Sequence, residues 1–474
     1  MDIITGKILK LNNWGEGKII GLAKDAGNKL IESGLDRETA LTRLDAVRQN
    51  PTEFLADNLL ADLARACIQA NKKDEPSIDA LREQALPFPI WGQDQIDSEA
   101  IKQMQNAMRL PITVTGALMP DAHVGYGLPI GGVLATENHI VIPYAVGVDI
   151  ACRMRLSLYE VSPILLGQKK GMFEESLWNE TAFGMGAKWT GSKRANHAVL
   201  DDDAWYATKQ LRTLKDTAMN QLGTSGTGNH FVEWGSFRLH EDMFGLKAGE
   251  YLALLSHSGS RGVGAKIADR FSKLAMEKHP DLDKSVRHLA WLDLDSEDGA
   301  EYWVSMELAG RFASANHYII HKRVSASVGL KEVAVVENHH NFAWKEKLAD
   351  GKEVIVHRKG ATPAGAGVLG VIPGSMGDAG YVVRGRGVSE SLESASHGAG
   401  RLMSRRAAIN SISKSSRDDY LKERGVTLLG GGIDESPQAY KPIDEVISAQ
   451  HDLVDVIGKF TPKIVRMADE PGDI

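Results

Sequence analysis

The sequence predicts an α+β protein preceded by a small helical segment, and three observations carry that expectation. Apolar residues recur at helical spacing from about Gly17 to Lys73. Beyond about Leu86 the pattern gives way to short β-like runs broken by glycines, with helical stretches between them. Glycine supplies 48 of the 474 residues, more than the usual ~7%, and gathers at short motifs where backbone must approach something closely.

In the leading segment, Leu41, Leu44 and Val47, then Leu55, Leu59, Leu60 and Leu63, fall three and four apart, as on one face of a helix. Pro51 separates two helices, with Thr52 the expected N-cap of the second. Asn71-Lys72-Lys73-Asp74-Glu75-Pro76 reads as a solvated linker, and Pro87 and Pro89 mark the start of the next unit. Residues 1–85 are therefore expected to form a helical N-terminal extension and residues 86–474 the main domain. Cys67, on an apolar helical face, reads as a small buried hydrophobe. In the main domain, strands are expected at 112–115, 131–134, 139–142, 251–255 and 331–336, and helices around 201–221, 263–278, 300–326 and 396–412.

Net charge is −7, from 55 basic and 62 acidic side chains, which argues against a generally basic surface that coats nucleic acid. A polyanion would have to be met by a local basic patch. Two cysteines, Cys67 and Cys152, exclude a disulfide framework and point to a reducing compartment. The start MDIITGKILK lacks the features of a signal peptide, and no apolar run is long enough to span a bilayer. A cytoplasmic protein with no membrane partner is expected.

Asp149 and Cys152 stand three apart after the run Ile140-Val141-Ile142-Pro143. If the turn there becomes helical, carboxylate and thiol share one side. His230 in GTGNHFVE and His257 in HSGSRG sit where a strand meets a glycine turn, a rigid edge that suits a ligand. His339 and His340 follow an apolar strand, and adjacent residues on extended chain point opposite ways, so only one can face the same centre. Thiolate and imidazole together favour zinc, while a carboxylate and enough ligands for two ions keep manganese open.

Two small-residue loops, IPGSMG around Ser375 and SHGAGR around His397, precede or open what reads as a helix bearing Arg401, Arg405 and Arg406. Backbone N–H groups and guanidinium forks make an anion site, with Arg261, Arg358, Lys359, Arg384 and Arg386 in neighbouring motif-rich segments. His397 at its mouth has four readings: metal ligand, base, nucleophile that attacks phosphorus, or an N-cap with only a structural role. Lys188, Lys193 and Arg194 add a weaker basic stretch that hints at a substrate held locally.

In order, PDAHVGYG, GVDIAC, GTGNHFVE, HSGSRG, NHHNF, RKGA, IPGSMG and SHGAGRLMSR closely resemble the RtcB family of RNA ligases, over about residues 86–468. The resemblance implies an RtcB-like α+β domain over 86–474 around a central two-metal site, manganese first and zinc second, with GTP as cofactor. By motif, Asp149, Cys152 and His230 would hold one ion and Cys152, His257 and His340 the other. His397 would become guanylylated, and Asp121 would support sealing. Asn229, Phe231, Glu233, Asn341, Pro373, Gly374, Ser375, Met376, Gly398, Ala399, Gly400 and Tyr440 would surround the nucleotide. Arg261 and Arg401 would meet RNA phosphates. The implied partner is RNA with 3′-phosphate or 2′,3′-cyclic phosphate ends and 5′-hydroxyl ends, with an activating helper protein, and a monomer is expected. The chain departs from the family pattern where Gly125-Tyr126-Gly127-Leu128-Pro129 follows PDAH, at Gly380, and at Ile464-Val465-Arg466-Met467-Ala468, where a lysine near the C-terminus is usual. The other functional classes in play are a metal-dependent phosphoesterase and an RNA-end-binding paralogue without ligation.

Overall fold

Helical periodicity and β-like runs separate in space as they do in sequence, since packing divides the chain after Ala80. The computed structural model describes residues 3–14, 18–74 and 78–469. The first unit is built from helices Gly6–Leu11, Lys18–Glu32, Arg37–Gln49 and Ala61–Asp74. Leu30, Leu44, Val47, Leu60, Leu63 and Cys67 close its core, where burial pushes the Cys67 thiol up. Asp36 caps the third helix by accepting the Thr39 N–H at 2.9 Å. Thr52 caps nothing. Pro51 opens a short 3-10 turn, Pro51–Phe54, and the Asp57 carboxylate accepts the Leu59 and Leu60 N–H groups just before the last helix. That helix absorbs Asn71 to Asp74, so the expected linker starts inside it. Glu75 and Pro76, like Gly17, lie outside the described residues.

The second unit, from Leu81, is α+β. Its largest sheet runs, in spatial order, Leu369–Ile372, Gly380–Gly385, Val454–Met467, Phe231–Leu239, Gly249–Ser258, Arg153–Tyr159 and Ala334–His339, with Thr427–Leu429 parallel to Val454–Met467. Phe231 pairs with His257, Met154 with His257, and Arg153 with His339. Because these four strands alternate in direction, residue 230 before one, 257 near the end of the next, 152 before the third and 340 after the fourth come out at the same edge. A smaller sheet of Thr113–His123, Ile130–Glu137, Glu353–Lys359 and Asn341–Lys347 carries Asp121, Lys359 and Asn341. The pair Ala361–Pro363 and Ser394–Ser396 then delivers His397.

Helices pack around the sheets. Glu297–Ser327, capped by Ser296, buries Met306, Phe312 and Ile320, while Lys209–Gln221 and Arg261–Lys278 add Leu211, Leu214, Ile267 and Phe271. The helix expected over 396–412 is cut to Arg405–Ser411, capped by Ser404. Gly400 breaks it earlier: its φ is +73°, and a Cβ there would lie 2.1 Å from the Asp121 carbonyl oxygen. Among the described residues no helix is long and apolar enough to cross a membrane.

Candidate active site

The D-x-x-C segment is not helical. The short helix Pro143–Val146 ends at Gly147, Ala151 adopts φ 57°, and the Cys152 N–H closes a turn onto the Asp149 carbonyl at 3.2 Å. Carboxylate and thiol still reach one place. Cys152 Sγ stands 3.1 Å from His257 Nε2 and 3.4 Å from His230 Nε2. Asp149 Oδ2 lies 3.0 Å from His230 Nε2, and His257 Nε2 lies 3.3 Å from His340 Nε2. The donors thus form a row: Asp149, His230, Cys152, His257, His340. A Cβ on Gly259 would fall 2.2 Å from Asp149 Oδ1, so only glycine leaves room for that carboxylate.

His257 Nδ1 donates to the Asn229 carbonyl at 3.0 Å, which leaves the Nε2 lone pair facing the row. His339 turns the other way, onto Phe342 and Trp344. Burial lowers His257 to about 3 and His340 well below its ordinary value, so both imidazoles are neutral. Burial, and then the Asp149 carboxylate, push the Cys152 thiol well up. Burial also opposes the charge on Asp149, but the His230 hydrogen bond and nearby positive charge hold its pKa below the usual carboxylate range.

Cys152, His230 and His257 place their ligand atoms within 4.8 Å of one another, a buried group that could hold a metal ion. The spacings match those between ligands sharing a cation at ~2.0–2.3 Å. Asp149 Oδ1 and His340 Nδ1 are buried without hydrogen-bond partners. Electron-pair donors outnumber protons here, and a divalent cation would reconcile them. One contact runs against this: Arg261 Nη1 approaches His230 Nδ1 at 3.3 Å, which suits a proton on Nε2, and a cation there would displace it.

His397 lies beside the row, its ring centroid 4.8 Å from that of His340. Its Nδ1 is held at 2.7 Å by Asp121 Oδ2, which also accepts the backbone N–H groups of His397 at 3.0 Å and Gly398 at 3.3 Å. Burial works against the Asp121 charge, but His397 and Lys441 outweigh it and keep the group ionised. With Nδ1 donating to a carboxylate, His397 Nε2 carries the lone pair.

A cavity of about 990 Å³ opens from this cluster. Asn229, Phe231, Asn341, Pro373 to Met376, Gly398 to Gly400 and Tyr440 line it together with Asp149, Cys152, the three histidines and His397. Glu233 does not. It lies two residues along the strand from Phe231, buried, with Oε2 unpartnered and its acid pushed well up by burial.

The expected basic wall is largely spent on carboxylates. Arg401 gives Nε to Met403 O, Nη2 to Asp434 O, and Nη1 to Glu435 and the Tyr440 hydroxyl, with its guanidinium 5.0 Å from the Tyr440 ring. Arg405 pairs with Asp434 and Glu435. Arg261 sits behind the wall against His230, outside the lining. Arg358 is buried on Glu346, Arg384 pairs with Glu241 and Arg386 with Asp455. Arg466 stacks on Trp178, leaving Met467 on the cavity wall. The sequence singled out neither His123 nor Glu435 among the lining groups, and it gave Lys359 no role of its own. His123 is lowered to about 4 by burial, although its PDAH motif was in view. Glu435 anchors the arginines 30 and 34 residues before it. Lys359 figured only as one cation among several, but burial lowers it to about 7.

Residues 103–468 match the family described as tRNA-splicing ligase RtcB. The RNA-splicing ligase RtcB of Escherichia coli (strain K12) is 33% identical over 413 residues, covering 80% of this chain and 97% of that protein. The tRNA-splicing ligase RtcB of Nanoarchaeum equitans is 30% identical over 458 residues, covering 80% and 95%. That of Thermococcus kodakarensis is 30% identical over 460 residues, covering 80% and 94%.

Proposed function

This chain belongs to the RtcB family, and on that premise we propose that it is a GTP- and metal-dependent RNA ligase that joins RNA 3′-phosphate or 2′,3′-cyclic phosphate ends to 5′-hydroxyl ends through a histidine-linked GMP. The observation that carries the reading is the His397–Asp121 pair. A carboxylate holding Nδ1 at 2.7 Å leaves Nε2 as a nucleophile beside a buried donor row, on the wall of a cavity large enough for a nucleotide.

In the first step Nε2 attacks the α-phosphorus of GTP. An N–P bond forms, the bond to the bridging oxygen breaks, and pyrophosphate leaves. Asp121 holds the ring in place and stabilises the charge it gains. An oxygen of the RNA 3′-phosphate then displaces the histidine from phosphorus, restoring His397. Finally the 5′-hydroxyl oxygen attacks the activated 3′-phosphorus, loses its proton, and expels GMP. A cyclic phosphate must first be opened by water. Asp149, Cys152 and His230 would hold one divalent ion, and Cys152, His257 and His340 a second. Bound there, manganese, or zinc in its place, would offset phosphate charge during these displacements. Asn229, Phe231, Asn341, the 373–376 and 398–400 loops and Tyr440 would surround the nucleotide.

The same reading makes RNA ends the partner, with a helper protein assisting turnover. It puts a single copy of the chain to work in the cytoplasm. Incubation with GTP radiolabelled at the α-phosphate and manganese is expected to label the protein through an acid-labile bond, and His397→Ala to abolish the label. No label with any of several nucleotides and divalent ions, but hydrolysis of phosphate esters, would favour the phosphoesterase reading. RNA-end binding with neither activity would favour the non-ligating paralogue.

A further inference from the structure

The mouth of the cavity carries a group of rings that none of these steps uses. Tyr126 and Tyr144 both line it. Each packs against His288, Tyr126 at a centroid distance of 6.4 Å and 76° and Tyr144 at 5.0 Å and 52°. Tyr126 is 71% exposed, but its loop is pinned. Gly125 accepts from Gln103 Nε2 at 2.6 Å and donates to Gln103 Oε1 at 3.0 Å, and the Lys359 ammonium donates to the Tyr126 carbonyl. Gly127 turns at φ +73° against His288 and Leu289. A large ring held in water on a fixed loop has already met the entropy cost of receiving a flat partner.

The rings are also tied to the reacting end. Lys359 Nζ lies 5.7 Å from the Tyr144 centroid. The next residue, Gly360, abuts His397: a Cβ there would be 3.1 Å from His397 Cε1. Tyr126, Tyr144 and Lys359 thus line the same cavity as Gly360 and His397. Arg287, the residue before His288, is exposed.

We propose that Tyr126, Tyr144 and His288 form a stacking platform for the unpaired terminal nucleobase of the RNA strand whose end phosphate reaches His397, with Lys359 beneath the adjoining phosphate. The proposal rests on the ligase reading. Aromatic faces beside a cation suit a base and its phosphate and tolerate any base identity. A base inside a duplex has both faces covered and the last base of a paired end is held in plane by its partner, so an unpaired end can turn onto the platform most freely.

The test uses short single-stranded RNA ending in a 3′-phosphate, with 2-aminopurine as the last base, and a second RNA that is abasic at that position. Fluorescence quenching reads stacking, and competition reads affinity for both RNAs. Tyr126→Ala is expected to weaken binding of the base-bearing RNA by roughly 5- to 50-fold, the scale of one lost stack. Tyr126→Phe is expected to restore it, and the abasic RNA to bind wild type and Tyr126→Ala alike. His288→Ala, on a separate segment, should repeat the pattern and guards against a fold defect at the loop. Equal loss on both RNAs, or no loss on either, would overturn the platform. Failure of the wild-type protein to bind either RNA would instead remove the ligase reading beneath it.

Discussion

Along one wall of the cavity, Cys152, His230, His257 and His340 face one another as buried donors with little opposite charge to satisfy them, while along the other Arg401 and Arg405 already have Glu435 and Asp434. The two walls divide the handling of charge. Close-set sulfur and imidazole donors can take up a cation by giving up the protons they now share with one another and with Asp149. Guanidinium groups held by carboxylates must loosen that pairing before they can grip a phosphate, and Arg401 also holds the Tyr440 hydroxyl and ring.

The contrast is sharpened first at Asp121, where the largest effect is expected. Asp121→Asn keeps the shape but removes the charge that fixes the His397 tautomer, and the rate of nucleotide labelling should fall by roughly 10²- to 10⁴-fold. Single-turnover labelling measures it. A loss under threefold would mean that His397 does not depend on its carboxylate.

Arg401→Ala addresses the other wall. It removes a partner from Glu435, which is only 3% exposed, and the cation from the Tyr440 ring. Nucleotide KM should rise about tenfold and stability fall by about 1–3 kcal/mol, less than for a lone buried pair because Arg405 remains. If RNA affinity fell instead with nucleotide KM unchanged, the guanidinium would be a phosphate contact after all.

The smallest effect concerns Lys359, between the walls. Its folded ammonium titrates near 7, against a reference value of 10.5. Between these values the unfolded chain holds the extra proton, so stability rises with pH across that window and the burial penalty is full below about 7. Lys359→Met should therefore raise Tm by a few degrees at pH 6, with the gain shrinking toward pH 10. A gain independent of pH would show that the amine is not desolvated.

Much of the donor wall was legible in the sequence. Cys152, His230, His257 and His340 each sit at a strand end within a local motif, and strand alternation in an antiparallel sheet does the rest. His339 and His340 could be narrowed to one for the same reason. The helical unit was legible through its periodicity at Leu41, Leu44 and Val47, but not at the next run: Leu55 and Leu59 are exposed and precede the helix that starts at Ala61, because Pro51 opens a 3-10 turn and Asp57, not Thr52, accepts the N–H groups before that helix. The arginine wall was not legible. Whether Arg401 points at a ligand or at Glu435 depends on a contact across 34 residues, and the loop that decides it is shaped by Gly400 meeting Asp121. The charge state of Lys359 depends on burial that no local pattern encodes.

Ligation by this chain requires that the donor row take up cations beside His397. Anomalous diffraction at the manganese edge, from crystals grown with manganese, measures this directly. Two peaks that share Cys152 Sγ, one toward Asp149 and His230 and the other toward His257 and His340, are predicted. No peak at the row, or cations only at distant surface carboxylates, would contradict it.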